Sequence, residues 1–594
     1  MASKRKTIST LLEWGLPEGL AHLAYITFGT HVLRVLTENP YELLGLDDKS
    51  AWAAAEQLAN SNQMGPDHPR RVEGAIRFVL QQSTRNGHIY LPEWELRQQL
   101  YKSLDSFDEM MISEALETLA DRHCISLSVD EEENSRVYLE PLRQAEAWVA
   151  QRLHEIEQAP SSMGMTALTS ADIHALEERM GVEFADTQRE AVLSSFLHKI
   201  MIITGGPGTG KTTILKSVIT LFREREARVW LAAPTGRAAR KLAESTGHKA
   251  FTIHRLLEYN PETRKFNRHE GRPVRGDLLI VDEASMIDIE LMAQLLKAVT
   301  PSMHLMLVGD VDQLPSVGPG AVLNDIISSG CFKTFRLTDI FRQKKGSLIS
   351  LNAKRINEGE MPEIDGLGLD SGQDFFFINR PESERAEDTV LDMIQTRIPE
   401  QFGFSPARDI QLVSPMIRRA LGVETFNQRL QALLNPQAAS AKRRGPIHVG
   451  DKVMQIRNDY KKDVFNGDIG FVESIQSKPW RMHIQFEGRL VEYSREELDS
   501  ITLAYAITVH KSQGSEYPAI ILPLTKQHYP MLQRNLLYTA VSRGKELVVI
   551  VGDTRALEQA VRNNKVQFRY SHLRERLLQA GQSTQIAPTP DGIE

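Results

Sequence analysis

Cysteine is close to absent: the 594 residues hold two, Cys124 and Cys331, far apart and at no disulfide or zinc spacing. That excludes a disulfide-stapled secreted scaffold and a cysteine-built metal site, and it fits a reducing compartment, most simply the cytoplasm. No run approaches the roughly eighteen apolar residues of a membrane-spanning helix. The basic start MASKRKT leads into LLEWGLPEGL, where a charge and two glycines stand in place of a signal peptide's apolar core, so neither export nor a membrane span is expected. A positive charge excess is also missing, with 70 Lys and Arg against 77 Asp and Glu and a net charge of -7. The global field does not advertise nucleic acid, and any basic groove has to be local. What is present is an ordinary folded composition, 41% hydrophobic and 25% charged, at a length that exceeds one core and predicts several domains.

Residues 1–68 read as short helices separated by turn signals at Pro17-Glu18-Gly19, Gly29 and Asn39-Pro40. Two readings stand: a helix-hairpin-helix module whose turn amides hold DNA phosphates, or a small structural bundle. Residues 69–150 read helix, short strand GHIYLP, two helices, then the hairpin CISLSVDEEENSRVYLE, the order of a winged-helix unit. Its tip carries Asp130, Glu131, Glu132 and Glu133, which would repel phosphate, so a structural role is favoured. The last segment, GQSTQIAPTPDGIE over 581–594, is expected to be a disordered tail.

Between these ends lies a nucleotide signature. KIMIITGGPGTGKTTILKSVITLF is an apolar run, a glycine-rich turn and a helix-period segment, the context that a phosphate loop requires. Gly206, Pro207, Gly208, Thr209, Gly210, Lys211, Thr212 and Thr213 form the loop: its backbone N–H groups converge on β- and γ-phosphate, Lys211 adds charge, and the Thr212 hydroxyl ligates Mg²⁺. GDLLIVDEASMID delivers Asp282 to the Mg²⁺ and Glu283 to the attacking water at the end of a buried strand. In FADTQREAV, Gln188 either pairs with the adenine N6 and N7 or is an exposed helical residue. GDVDQLPSVGPG ends another apolar run with Asp310 and Gln313. An amide there can donate to the γ-phosphate and lose that bond when phosphate leaves, making Gln313 a sensor, and the Gly318-Pro319-Gly320 turn is placed to carry the change elsewhere.

Taken together, GGPGTGKTT, VDEASM, GDVDQLPSVGPG, FRQ, VHKSQGSEY and LYTAVSRGKE resemble the helicase motifs of superfamily 1, and the wording is similar to its RecD-like branch (superfamily 1B). The N-terminal helices resemble the extension of the stand-alone type-2 members. The resemblance implies an α/β chain: two RecA-like parallel-sheet P-loop domains, a helical and winged-helix N-terminal region, and an SH3-like β-barrel insertion. The expected boundaries are 151–335 for the first motor domain with a hairpin insertion, the pin, at 257–277, and 336–580 for the second with the barrel at 445–500. It further implies that Arg342 and Arg543 reach the γ-phosphoryl group from the second domain, in the manner of arginine fingers.

In the relatives, AAPTGRAARKL, FTIHRLL and ITLAYAITVHKSQGSEYP line the single-strand path. Pro234, Thr235, Arg237 and His254 from the first domain, and Thr508, His510, Lys511 and Ser512 from the second, are the candidate DNA contacts, reading phosphate and therefore little sequence. NPETRKFNRHEGRPVRG is either a duplex-splitting pin or a solvated loop. The β-rich stretch with its basic loop NDYKKD either touches the translocating strand or is an inert packing module. The implied activity is ATP-dependent 5′→3′ DNA unwinding in repair or recombination, with ATP and Mg²⁺ as cofactors, single-stranded and forked DNA as partners, and protein contacts through the N-terminal region. An RNA helicase and a non-motor ATP-gated scaffold are the rival readings.

Overall fold

The continuous apolar runs become parallel strands covered on both faces, where a side chain of either parity meets core. In the computed structural model, which describes every residue except 1, 47–49, 104–107, 130–133, 164–167, 262, 339–346, 365–372, 436–445, 565–567 and 586–594, two such sheets form the framework. The first has the strand order Lys333–Leu337, Ile200–Gly205, His304–Gly309, Leu278–Val281, Val229–Ala233, Ala250–Thr252. The second has the order Phe375–Asn379, Gly544–Gly552, Tyr517–Leu524, Ile410–Ser414, Ala506–Thr508. All pairings within both sheets are parallel. The strand Lys333–Leu337 completes the edge of the first sheet, so that lobe runs two residues past the boundary expected at 335.

Two smaller sheets are antiparallel. Tyr90–Pro92, Ser135–Leu139 and Ile125–Val129 form a three-stranded sheet with the helices Pro69–Arg85, Glu93–Ser103 and Glu109–Asp121 packed on it, the layout of a winged helix. The acidic tip at 130–133 lies outside the described residues. Arg489–Tyr493, Trp480–Phe486, Ile469–Ser477, Lys452–Gln455 and Ile501–Leu503 form the five-stranded inserted barrel. The basic stretch after Leu257 folds back as a short hairpin, Tyr259–Asn260 against Lys265–Phe266. At the N-terminus the helices Ala2–Glu13, Glu18–Phe28, Val32–Glu38 and Ala51–Ser61 enclose a core of their own that includes Leu20, Leu36 and Tyr41.

The C-terminal end departs from expectation. Residues 573–585 form one helix, which takes 573–580 out of the second lobe and 581–585 out of the expected tail. Leu573 and Leu577 are fully buried in the core of the first lobe, and Arg576 Nε donates to the buried Glu146 at 2.9 Å. Burying two leucines and pairing a buried carboxylate outweighs the polar composition that suggested disorder.

Beside this helix, burial pushes the Asp325 carboxyl up to about 7; Glu146 and Glu575 push the same way, while a hydrogen bond from Ser571 and the charge of Arg569 oppose. Below about pH 4 both folded and unfolded chains carry this proton. Between about pH 4 and 7 only the unfolded chain releases it, so stability falls as pH rises through that window and is flat above it. Asp325→Asn, whose side-chain carbonyl still accepts from Ser571, therefore gains thermal stability over the parent on going from pH 4 to pH 8. An equal offset at both values in paired melting curves refutes the assignment.

Candidate functional site

The phosphate loop follows the strand Ile200–Gly205 and opens the fourteen-residue helix Lys211–Glu224. Gly208 and Gly210 hold φ of 78° and 86°, values a side chain would strain, and they turn the loop amides inward. Lys211 Nζ donates to the carbonyls of Gly205 and Gly206, so the ammonium sits inside the loop where phosphate oxygens would replace those acceptors. The next strand but one, Leu278–Val281, ends at Asp282 and Glu283. Glu283 is a non-glycine residue at φ 52°, and its N–H donates to Asp282 Oδ1 at 2.9 Å. Backbone strain of that kind costs about 1–3 kcal/mol and persists where geometry is over-determined, commonly at functional sites. Burial and the Glu283 carboxylate push Asp282 up to about 6, while Lys211 and Lys241 pull it down. A hydroxyl, a carboxylate and a confined ammonium at the mouth of a helix suit a magnesium-bound triphosphate. Among the described residues no group of three or more His, Cys, Asp or Glu side chains could hold a metal alone.

Gln188 is placed at the loop but is already engaged. Its Nε2 donates to Thr209 O at 3.1 Å and its Oε1 accepts from Ala185 N–H, capping its own helix. It is thus neither the exposed helical residue nor a free adenine reader.

A cleft of about 610 Å³ separates the loop from the second lobe, lined by Gly206, Pro207 and Thr209 on one side and Lys354, Arg534 and Tyr538 on the other. Across it the segment after His304–Gly309 is wired to the helix Arg534–Val541. Asp310 Oδ2 accepts from both Gln313 Nε2 and Tyr538 Oη, each at 2.8 Å. The following residue, Leu314, donates its N–H to Thr539 Oγ1 at 2.9 Å, and its carbonyl accepts from Gln513 Nε2 at 2.8 Å. A Cβ on Gly206 would lie 2.8 Å from Tyr538 Oη, so glycine makes room for the hydroxyl at the loop itself. Burial pushes the Tyr538 phenol well up, which keeps its proton in place as a donor, and burial likewise pushes Asp310 up against the opposing charge of Lys211. Sequence reasoning found Gln313 but missed Tyr538, Thr539 and Gln513. The sequence offered only a tyrosine and a threonine in the buried half of RNLLYTAV, with no hint of their partners.

Arg543 does not face the loop. Its guanidinium is buried and donates to Thr539 O, Ser542 Oγ and Ser515 O within its own lobe. A buried guanidinium has to satisfy its donors locally unless a phosphoryl group competes for them. Arg342 lies outside the described residues.

On the proposed strand path, Thr235 caps the helix Gly236–Thr246, accepting from Ala238 N–H at 3.2 Å, with half-buried Pro234 before it. Arg237 reaches across to the second lobe, 3.0 Å from Tyr517 Oη and 4.8 Å from its ring centroid, so it ties the lobes instead of standing free. His254 packs against the hairpin rings of Tyr259 and Phe266, and burial pulls its pKa down, leaving it neutral. Thr508 accepts from Lys511 N–H, and His510 and Lys511 are exposed. Ser512 is fully buried with its hydroxyl donating to Val509 O, so it does not face a strand. Part of the NDYKKD loop is likewise committed, since Lys462 donates to Glu492 O and pairs with Glu497 and Asp463 pairs with Arg255 at 3.0 Å, while Lys461 is exposed. The barrel therefore docks on the first lobe, where Phe465 fills the space over Gly236 and Arg240 pairs with Asp468 and Glu487.

Four family models match the chain. An AAA domain covers 188–319, a UvrD-like helicase C-terminal domain 503–551, an ATP-dependent RecD-like DNA helicase SH3 domain 426–486, and an ATP-dependent RecD2 DNA helicase HHH domain 1–90. The ATP-dependent RecD2 DNA helicase of Deinococcus radiodurans is 31% identical over 589 residues, covering 97% of this chain and 78% of that one. The RecBCD enzyme subunit RecD of Mycobacterium tuberculosis is 32% identical over 432 residues, 67% of this chain and 74% of that one. Among solved structures, Pif1 helicases at forked double-stranded DNA align at 20% identity and TM-score 0.39 over 68% of this chain and 98% of theirs. Among the described residues no helix is long and apolar enough to cross a membrane.

Proposed function

The chain belongs to the ATP-dependent RecD2 DNA helicase family and is an ATP-driven DNA helicase; on that premise we propose that it walks 5′→3′ on one DNA strand and opens duplex or forked DNA ahead of it, in cytoplasmic DNA repair or recombination. The observation that carries the motor reading is the junction at Asp310, where the candidate phosphate sensor Gln313 and the second-lobe hydroxyl of Tyr538 share one carboxylate oxygen. A signalling switch needs only the sensor, whereas a walker needs it joined to a second moving lobe.

In this reading Lys211 and the loop amides hold β- and γ-phosphate, and Glu283 orients and deprotonates the attacking water. Thr212 and Asp282 would hold Mg²⁺, which would supply charge neutralisation to the phosphoryl group. Gln188 buttresses the loop at the nucleobase end. On closure Arg543 exchanges its Thr539, Ser542 and Ser515 acceptors for the γ-phosphoryl oxygens, and Arg342 is the second candidate finger. Pro234, Thr235, His254, Thr508, His510 and Lys511 contact the strand, largely through its phosphates. One step per ATP is energetically comfortable, because hydrolysis yields several kcal/mol and unstacking costs a mean of about 1.4 kcal/mol per base-pair step.

Duplexes with a single tail test the direction. Unwinding of the 5′-tailed substrate alone is expected. Opening of the 3′-tailed substrate alone reverses the polarity, and equal ATPase stimulation by RNA and DNA strands removes the DNA selectivity.

A further inference from the structure

The helix Arg534–Val541 is one support of the Asp310 to Gly320 segment; the other comes from a stretch that none of the four matched family segments includes, the residues just before the C-terminal helix. Arg569 inserts its guanidinium into the Ser316–Gly320 turn. Its NH1 donates to Ser316 Oγ at 3.2 Å, Gly318 O at 3.0 Å and Gly320 O at 2.7 Å, and its NH2 donates to Ser316 O at 2.7 Å. Three of these acceptors are carbonyls of a turn with no ladder partner, two of which also accept from the Ser316 hydroxyl, and the planar fork of fixed donors gathers them with the hydroxyl itself.

The same guanidinium lies against the winged-helix unit. A Cβ on Gly87, at φ 90°, would stand 2.4 Å from Arg569 Nε, and Gly87 O accepts from Gly320 N–H at 2.9 Å. The neighbouring Tyr570 is fixed to that unit through three bonds: its N–H to His88 Nδ1, its carbonyl from Ile89 N–H, and its hydroxyl to Glu95. Ser571 then anchors this segment to the first lobe, donating to Asp325 at 2.7 Å.

We propose that Arg569 is the positioning residue of the sensor segment, holding the Ser316–Gly320 turn against the winged-helix unit so that a change at Gln313 is passed to the second lobe instead of being absorbed by the turn. This deepens the motor reading and rests on it. Arg569 makes no hydrogen bond to the phosphate loop or to a candidate strand contact, and only its charge reaches one of them, adding to burial in pulling His510 down; its loss alters transmission and spares nucleotide chemistry.

The test is steady-state ATP hydrolysis by the full chain with and without saturating oligo-dT, with KM for ATP and a melting curve alongside. For Arg569→Gln, basal turnover and KM for ATP stay within about twofold, while DNA-stimulated kcat falls at least about fivefold. Unchanged stimulation overturns the proposal, and so does a loss of basal and stimulated rates in the same proportion, which marks a purely structural role. If Arg569→Gln does not fold, Arg569→Lys decides, since it keeps the charge and fills only part of the acceptor set: reduced stimulation supports the proposal and full stimulation overturns it. A parent protein that shows no stimulation by DNA sinks the helicase reading itself and not this residue's role within it.

Discussion

Lys211→Ala and Glu283→Gln each abolish unwinding while single-strand affinity stays within a few-fold of the parent. Lys211 is the ammonium confined inside the phosphate loop by the Gly205 and Gly206 carbonyls. Removing a preorganised charge aimed at a phosphoryl transition state typically lowers kcat by about 10²–10³. Glu283 is held at a strained backbone angle beside Asp282. Its amide replacement keeps shape and hydrogen-bonding reach but cannot take a proton, a loss of about 10²–10⁴ in rate. The two variants should separate in ATP affinity: Lys211→Ala weakens nucleotide binding, and Glu283→Gln leaves it near that of the parent. Stopped-flow phosphate release and fluorescence anisotropy on a labelled oligonucleotide measure both quantities. Undiminished turnover in either variant overturns the site assignment, and loss of strand binding in both would place DNA contact in the phosphate loop.

Gln313→Ala has the second large effect, on coupling and not on chemistry. In the resting structure Gln313 shares the Asp310 carboxylate with Tyr538, and Leu314 is bonded through both its N–H and its carbonyl to the second lobe. Truncation removes the group that can exchange Asp310 for the γ-phosphate and leaves the remaining bonds in place. ATP binding and basal hydrolysis should survive, and stimulation by single-stranded DNA should fall about tenfold, within the 1–3 kcal/mol range usual for coupling between sites. Tyr538→Phe, which deletes only the hydroxyl, should do no further harm in the Gln313→Ala background, because both act through one carboxylate. Additive losses in that double-mutant cycle would show that the two side chains work separately.

The contrast between these residues and those whose partners the motifs did not reveal explains how far the sequence could be followed. Strands such as Ile200–Gly205 and Leu278–Val281 are legible because a parallel sheet buried on both faces demands uninterrupted β-branched and leucine runs, and the phosphate loop is legible because only glycine tolerates its backbone angles. Arg543, Arg237 and Ser512 were placed by their motifs, yet a motif fixes where a side chain begins and not which acceptors it reaches. Ser512 takes the Val509 carbonyl three residues back, Arg543 takes Thr539 O four residues back and Ser515 O from a distant turn, and Arg237 reaches the Tyr517 hydroxyl on the other lobe. The return of the C-terminal helix was hidden for a related reason: Leu573 and Leu577 are two of the few apolar residues in a polar stretch, and their core is built by residues hundreds of positions earlier. Tyr538 was readable only after the cleft was seen, since a tyrosine in a helix says nothing by itself about a carboxylate on another lobe.

The central claim is that one cleft and one polynucleotide track are mechanically joined through the Asp310 to Gly320 segment. The direct measurement is the rate of ATP hydrolysis by the purified full chain as oligo-dT is titrated in at saturating ATP. A saturable rise of at least about tenfold is the predicted result; a rate that stays flat from zero to saturating oligonucleotide, while anisotropy shows the strand bound, contradicts the account.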